Sequence, residues 1–223
     1  MRKLLSLLLI LIAFAQTTFS QKKSYGTTNW ELIFSFAEYQ LKGEKINTPP
    51  RFSCVFHFGK YKHLDLTKNI GLYSGAAMRN VGFSSKISDT LVKRRVYTIG
   101  VPLAIKIGDL GNDKYLYAGG EAEFAFHFKE KTFINDKKTK ESEWFSSRNN
   151  LFLPSVFVGV NFKSGLNLKF KYYLEDLYNT DYTKNGMKLY ENVNSSQMFY
   201  FSISMNVRKG SYYGKSKTYN KNS

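Results

Sequence analysis

Glu121, Glu123 and His127 stand in one alternating register of the stretch Leu116–Phe128. Residues two apart on a β-strand share a face, so the three groups project the same way. Paired carboxylates beside a histidine can move protons when burial shifts their affinities. A matching basic pair, Lys169 and Lys171, lies on a later stretch, and Arg51, His57, Arg79 and Lys106 occupy the corresponding register of three others. Cations and carboxylates so distributed satisfy one another, and they read as a polar network of ion pairs more readily than as a proton-transfer site. Nucleophilic attack needs a serine with an oriented base, and Ser53 and His57 share a face four residues apart, but the signal is weak because strand faces in secreted barrels are full of Ser. His57, His63 and His127 lack ligand spacing, and neither HExxH nor CxxC occurs. The residues point to no catalytic group, no metal and no cofactor.

The elements that must hold these groups are eight short alternating stretches. Their apolar registers run Trp30–Phe36, Phe52–Phe58, Ile70–Met78, Tyr97–Ile107, Leu116–Phe128, Phe152–Phe162, Leu166–Leu174 and Phe199–Val207. Ionisable side chains fall on the opposite register throughout. A Lys or Arg facing lipid at the bilayer midplane costs roughly 2–4 kcal/mol, which explains so strict an exclusion. The connections alternate too. Residues 40–50, 80–91, 129–150 and 176–196 form long gaps, and 60–68, 108–114 and 163–165 form short ones. Short turns at one end, long loops at the other and an even strand number describe an eight-stranded antiparallel up-and-down transmembrane β-barrel, all-β, with both termini on the short-turn side. Trp30, Tyr97, Tyr115 and Phe162 fall near strand ends, where aromatic girdles lie.

Residues 1–20 read as a secretory signal peptide. Arg2 and Lys3 precede an apolar run, Leu4–Phe14, too short to span a bilayer as a helix. Cleavage fits after Ala15 or after Ser20, and Ser20 is taken as the boundary. Residues 21–207 then form one barrel domain, and 208–223, rich in Lys and Arg without an acidic residue, a basic disordered tail in the periplasm. The single Cys allows no intramolecular disulfide, so stability must come from strand pairing and apolar contact. The chain carries 33 Lys and Arg against 17 Asp and Glu. Export argues against nucleic acid as the counter-ion, leaving outer-membrane lipid and lipopolysaccharide as the expected partners.

Pro102 sits inside the fourth stretch and Pro154 near the start of the sixth, each requiring a bulge or a rim position because proline donates nothing to a ladder. The run YTIGVPLAIKIG, a short turn, then YLYAGG, spanning Tyr97–Gly120, resembles a hairpin of the Bacteroidetes outer-membrane β-barrel domain superfamily, which includes PorT-like proteins. The resemblance implies location in the cell outer membrane and an eight-stranded plan, and supplies no catalytic residues. PorT-like members are associated with a secretion system and gliding, which makes a secretion or envelope-assembly protein a possible partner.

In the loop of residues 129–150, Lys137, Lys138 and Lys140 cluster near Trp144 and Phe145, a combination suited to lipopolysaccharide phosphates and sugars or to a surface partner. The expected function is a structural or surface-interaction role without catalysis. Three alternatives stand beside it: an accessory role in secretion or envelope assembly, a lipid-modifying enzyme, and a soluble periplasmic barrel binding a hydrophobic ligand.

Overall fold

The computed structural model describes residues 23–135 and 137–208; the expected signal peptide (1–20) and the expected tail beyond Arg208 lie outside the described residues. Alternation of apolar and polar side chains yields eight long strands: β1 (Lys23–Leu41), β2 (Phe58–Asp65), β3 (Ile70–Val81), β4 (Thr90–Asp109), β5 (Lys114–Ile134), β6 (Phe152–Asn161), β7 (Leu166–Asp176) and β8 (Val193–Arg208). Each pairs antiparallel with its neighbours in the chain, and β8 returns to β1 from Leu41 back to Thr27, closing an eight-strand ring. Closure leaves the ring itself without an unpaired edge.

The register fixes the tilt. From Ile99 the paired residues lead through Met78, Phe58, Trp30 and Met205 to Leu166. Two residues further along β7, Leu168 leads through Val160 and Leu116 back to Ile107. The circuit therefore closes ten residues out of step on β4, Ile99 against Asp109. Ten rises of about 3.3 Å against eight strand spacings of about 4.8 Å tilt the strands about 40° from the axis.

The two faces are inverted relative to a water-soluble protein. Trp30, Leu103 and Leu116 are 63–64% exposed on the outside, and Ile105, Val158 and Phe201 are likewise exposed. Inside, Lys106, Lys171 and Glu123 have no exposed surface. At the long-loop end the interior is apolar, with Ile33, Val81, Phe83, Phe128, Leu153, Leu177 and Met198 packed together; at the short-turn end Tyr115, Tyr117 and Phe157 pack with Ala104 and Leu110. The largest cluster of buried charge occupies the zone between.

The ring departs from the sequence expectation in three places. The second strand was expected over residues 51–58 with a turn from 60; instead β2 continues to Asp65, and the turn is only residues 66–69. Arg51–Ser53 also pairs with β1, with a break at residues 54–57 where Phe56 adopts φ 63°. Inside partners favour the longer strand, because His63 bonds Thr27 at 2.8 Å and Asp65 meets Lys106 at 2.6 Å. Lys60 and Lys62 consequently take outward, exposed positions near the short-turn end, so the outer register of this strand does carry charge.

The second departure is in β5. Tyr97 opposes His127 and Thr98 opposes Ala125, leaving Phe126 as a one-residue bulge. A bulge inverts the alternation beyond it. Phe128, expected outside, is buried in the apolar plug, and His127 moves to the outer face. Third, residues 137–144, expected as loop, form a strand paired to the upper part of β5.

Neither proline needs a bulge. The β3–β4 ladder lapses between Ser74 and Ala77, opposite Pro102, and the Ser74 hydroxyl donates to the Pro102 carbonyl at 2.7 Å. Pro154 lies beyond the end of the β6–β7 ladder, which begins at Ser155.

Candidate functional site

Inward alternation on four strands brings three carboxylates and three cations to one level of the lumen. Glu31 comes from β1, Arg79 from β3, Glu121 and Glu123 from β5, and Lys169 and Lys171 from β7. Arg79 lies at the centre: its guanidinium pairs with Glu121, reaches Glu31 at 3.3 Å and Glu123 at 3.5 Å, and donates to the Tyr61 hydroxyl at 3.3 Å. Lys169 meets Glu31 at 2.7 Å, and Lys171 bridges Glu123 and, at 2.7 Å, Glu121. The Thr98 hydroxyl donates to Glu123 at 2.6 Å. All six charged side chains are buried, and their formal charges cancel. Space for the carboxylates depends on Gly100, whose missing side chain would overlap both Glu121 and Glu123.

A second pair lies nearer the short turns, where Lys106 meets Asp65 at 2.6 Å and the Tyr25 hydroxyl at 3.1 Å. Arg208, assigned from sequence to the tail, ends β8 and pairs with Asp113 at 2.8 Å beside the ring of Tyr25. Of the sequence-derived lumen residues, Arg79, Glu121, Glu123, Lys169 and Lys171 come together, Lys106 forms its own pair, and three, Arg51, His57 and His127, lie elsewhere. Arg51 donates to the Asn80 carbonyl and side chain at 3.3 and 2.8 Å. His127 stacks on Trp144 at 4.2 Å and meets the Ser142 hydroxyl at 2.8 Å, carried out of the lumen register by the bulge. Glu31 was missed, although it is the ionisable side chain of the polar register in the first stretch.

His57 is buried, with Nε2 2.7 Å from the Ser53 hydroxyl. Its Nδ1 accepts the backbone N–H of Asn80 at 3.2 Å. A neutral imidazole accepting at Nδ1 carries its proton on Nε2, so the ring donates to Ser53 and takes no proton from it. That arrangement opposes the one a nucleophilic serine requires. The pair braces the break between residues 53 and 58.

At the long-loop end, Arg94 meets Glu130 at 3.1 Å, and Arg148 pairs with Glu141 and, at 3.5 Å, Glu143. Burial lifts the Glu130 carboxyl above its ordinary pKa, against the opposing pull of Arg94. Among the residues expected on the surface loop, Lys138, Lys140 and Trp144 stand on the outer face of the 137–144 strand. Lys137 falls in the opposite register, and Phe145 projects just past its end, 62% exposed and near Phe124.

No protein-family model matches the chain, and no curated protein matches it. Similar solved structures include Ail, the attachment invasion locus protein of Yersinia pestis, in complex with the heparin analogue sucrose octasulfate (10% identity, 85% of this chain and 100% of that chain, TM-score 0.39). Ail without that ligand aligns at 11% identity over the same shares, TM-score 0.39. The N-terminal β-barrel domain of Pseudomonas aeruginosa OprF aligns at 9% identity, over 83% of this chain and 100% of that chain, TM-score 0.34. The eight-strand antiparallel ring rests on the pairing of its own strands.

Proposed function

We propose that the chain is an integral protein of the bacterial outer membrane, with a structural or surface-interaction role and no catalysis of its own. The observation that carries this reading is the inverted barrel: apolar side chains circle the outside, and a charge-neutral plug fills the inside. Exposed apolar surface of this extent is unusual on a soluble monomer and is satisfied by lipid. An inward-facing apolar pocket, which a soluble carrier of hydrophobic ligands needs, has no place in a lumen lined by Glu31, Arg79, Glu121 and Lys171. A lipid-modifying activity loses support at His57, whose tautomer leaves Ser53 unactivated. An accessory role in secretion or envelope assembly rests only on the hairpin Tyr97–Gly120, which resembles that of the Bacteroidetes outer-membrane β-barrel superfamily; no feature of the chain selects its PorT-like group.

Two measurements test the proposal together. The protein should fractionate with the outer membrane and migrate faster unboiled than boiled after detergent extraction. Reconstituted in a planar bilayer, it should pass no steady current, because the charge network closes the lumen. A soluble protein without a mobility shift would refute the location, and a stable open-channel conductance would refute the plug.

A further inference from the structure

Above the apolar band, the outer face of the sheet formed by β4, β5 and residues 137–144 changes character. Following the ladders outward from the aromatic row Tyr97, His127 and Trp144, the next outward rows are Arg95, Lys129 and Ser142, then Lys93, Lys131 and Lys140, then Leu91, Phe133 and Lys138. Six cations therefore share this face with no carboxylate. The acidic side chains of the upper parts of these strands, Glu130, Glu141 and Glu143, fall in the opposite register and are paired there with Arg94 and Arg148. None of the six outward cations has an acidic partner among the described residues. Their mutual repulsion lowers the Lys131 pKa, with Arg95 the largest cause.

Beside this face, the Pro49–Val55 segment stands away from the upper ends of β3 and β4 and leaves a cavity of about 510 Å³. Arg51, Lys93 and Arg95 line it together with Phe52, Val55 and Leu91, and no carboxylate does. Arg51 is held in place by Asn80 at 2.8 Å. Phe52 and Val55 are more than half exposed. Three cations next to exposed apolar groups, at the upper edge of a lipid-facing band, suit a molecule with phosphate above and acyl chain below.

We infer that this outer face, centred on Arg51, Lys93 and Arg95, is a binding site for a phosphorylated glycolipid of the outer leaflet. The inference rests on the outer-membrane reading above and names the partner of that surface. Phosphates would sit among Arg51, Lys93 and Arg95 and extend over Lys129, Lys131 and Lys140. An acyl chain would lie against Phe52 and Val55. The aromatic row Tyr97, His127 and Trp144 would mark the boundary between head group and chain.

The test uses the full barrel in detergent micelles, bisphosphorylated lipid A as probe, dephosphorylated lipid A as control, and native mass spectrometry as readout. Heat-modifiability of each sample establishes first that the barrel is folded, so that failure of the membrane reading shows as an absent mobility shift and failure of the inference as unchanged binding in a folded barrel. The triple variant Arg51→Gln/Lys93→Gln/Arg95→Gln should bind bisphosphorylated lipid A at least about tenfold more weakly than the parent, since each charge-assisted contact is among the stronger hydrogen bonds. A second variant, Lys129→Gln/Lys131→Gln/Lys140→Gln, leaves the Arg51–Asn80 contact intact and should also weaken binding. Dephosphorylated lipid A should bind parent and variants equally poorly. Equal affinity of parent and both folded variants would overturn the inference. So would equal retention of the two lipid forms, or tighter binding of a soluble sulfated polysaccharide than of bisphosphorylated lipid A.

Discussion

Arg79 shows how the polar interior is balanced. It touches all three carboxylates of the network, so replacing it leaves Glu31, Glu121 and Glu123 facing two lysines in a site without water access. Removing one partner of a buried ion cluster costs roughly 3–5 kcal/mol. Arg79→Met should therefore lower the urea midpoint of the reconstituted barrel by an amount corresponding to about that range, and adding Glu121→Gln in the same chain should recover part of the loss by restoring neutrality. Unchanged stability of Arg79→Met would mean that water or ions reach the cluster. The types and register of these residues were legible in the sequence, because inward charge on a strand has to find inward charge on another. The identity of the pairs was not, since the stagger of the ring decides which strands meet at one level. Arg51 illustrates the limit: its register resembled that of Arg79, yet it sits where the chain leaves the regular ladder and bonds to Asn80.

At the level of the strands, alternation carried most of the fold, because one apolar face per strand also specifies register. Two sites escaped it. Nothing in Phe124-Ala125-Phe126-His127-Phe128 marks which residue is extra, since aromatic side chains suit either parity; only the pairing with Tyr97 and Thr98 locates the bulge at Phe126. In β2, Lys60 and Lys62 interrupt the apolar register and made the strand look finished, whereas inward Tyr61, His63 and Asp65 hold it in the ring. Depth explains their tolerance. Both lysines lie toward the short turns, where long side chains can snorkel to the interface. Val158, by contrast, lies mid-strand between Phe170 and Ala118 on the outer face. Val158→Lys should destabilise the barrel in lipid by about 2–4 kcal/mol, whereas Lys62→Leu should change it by less than about 1 kcal/mol. Equal effects of the two substitutions in urea titrations would contradict this assignment of depth.

For the whole molecule, the proposed function requires that the outer surface contact lipid acyl chains. Net positive charge and a secretory start pointed to the envelope from sequence, but the spatial segregation of acid inward and base outward above the apolar band emerged only once the 137–144 strand was seen paired with β5. Fluorescence quenching by brominated phospholipids tests that contact directly, because the protein has two tryptophans, Trp30 and Trp144, each 63% exposed on the outer face. Trp30, expected from sequence near a strand end, lies mid-strand within the apolar band between Phe58 and Met205, and Trp144 at its upper edge above Phe126. In single-tryptophan chains reconstituted into bilayers, Trp30 should be quenched most by bromines deep in the acyl chain and Trp144 most by bromines near the head group. Absence of quenching at Trp30 by acyl-chain bromines, in protein shown to be folded, would contradict a lipid-facing barrel.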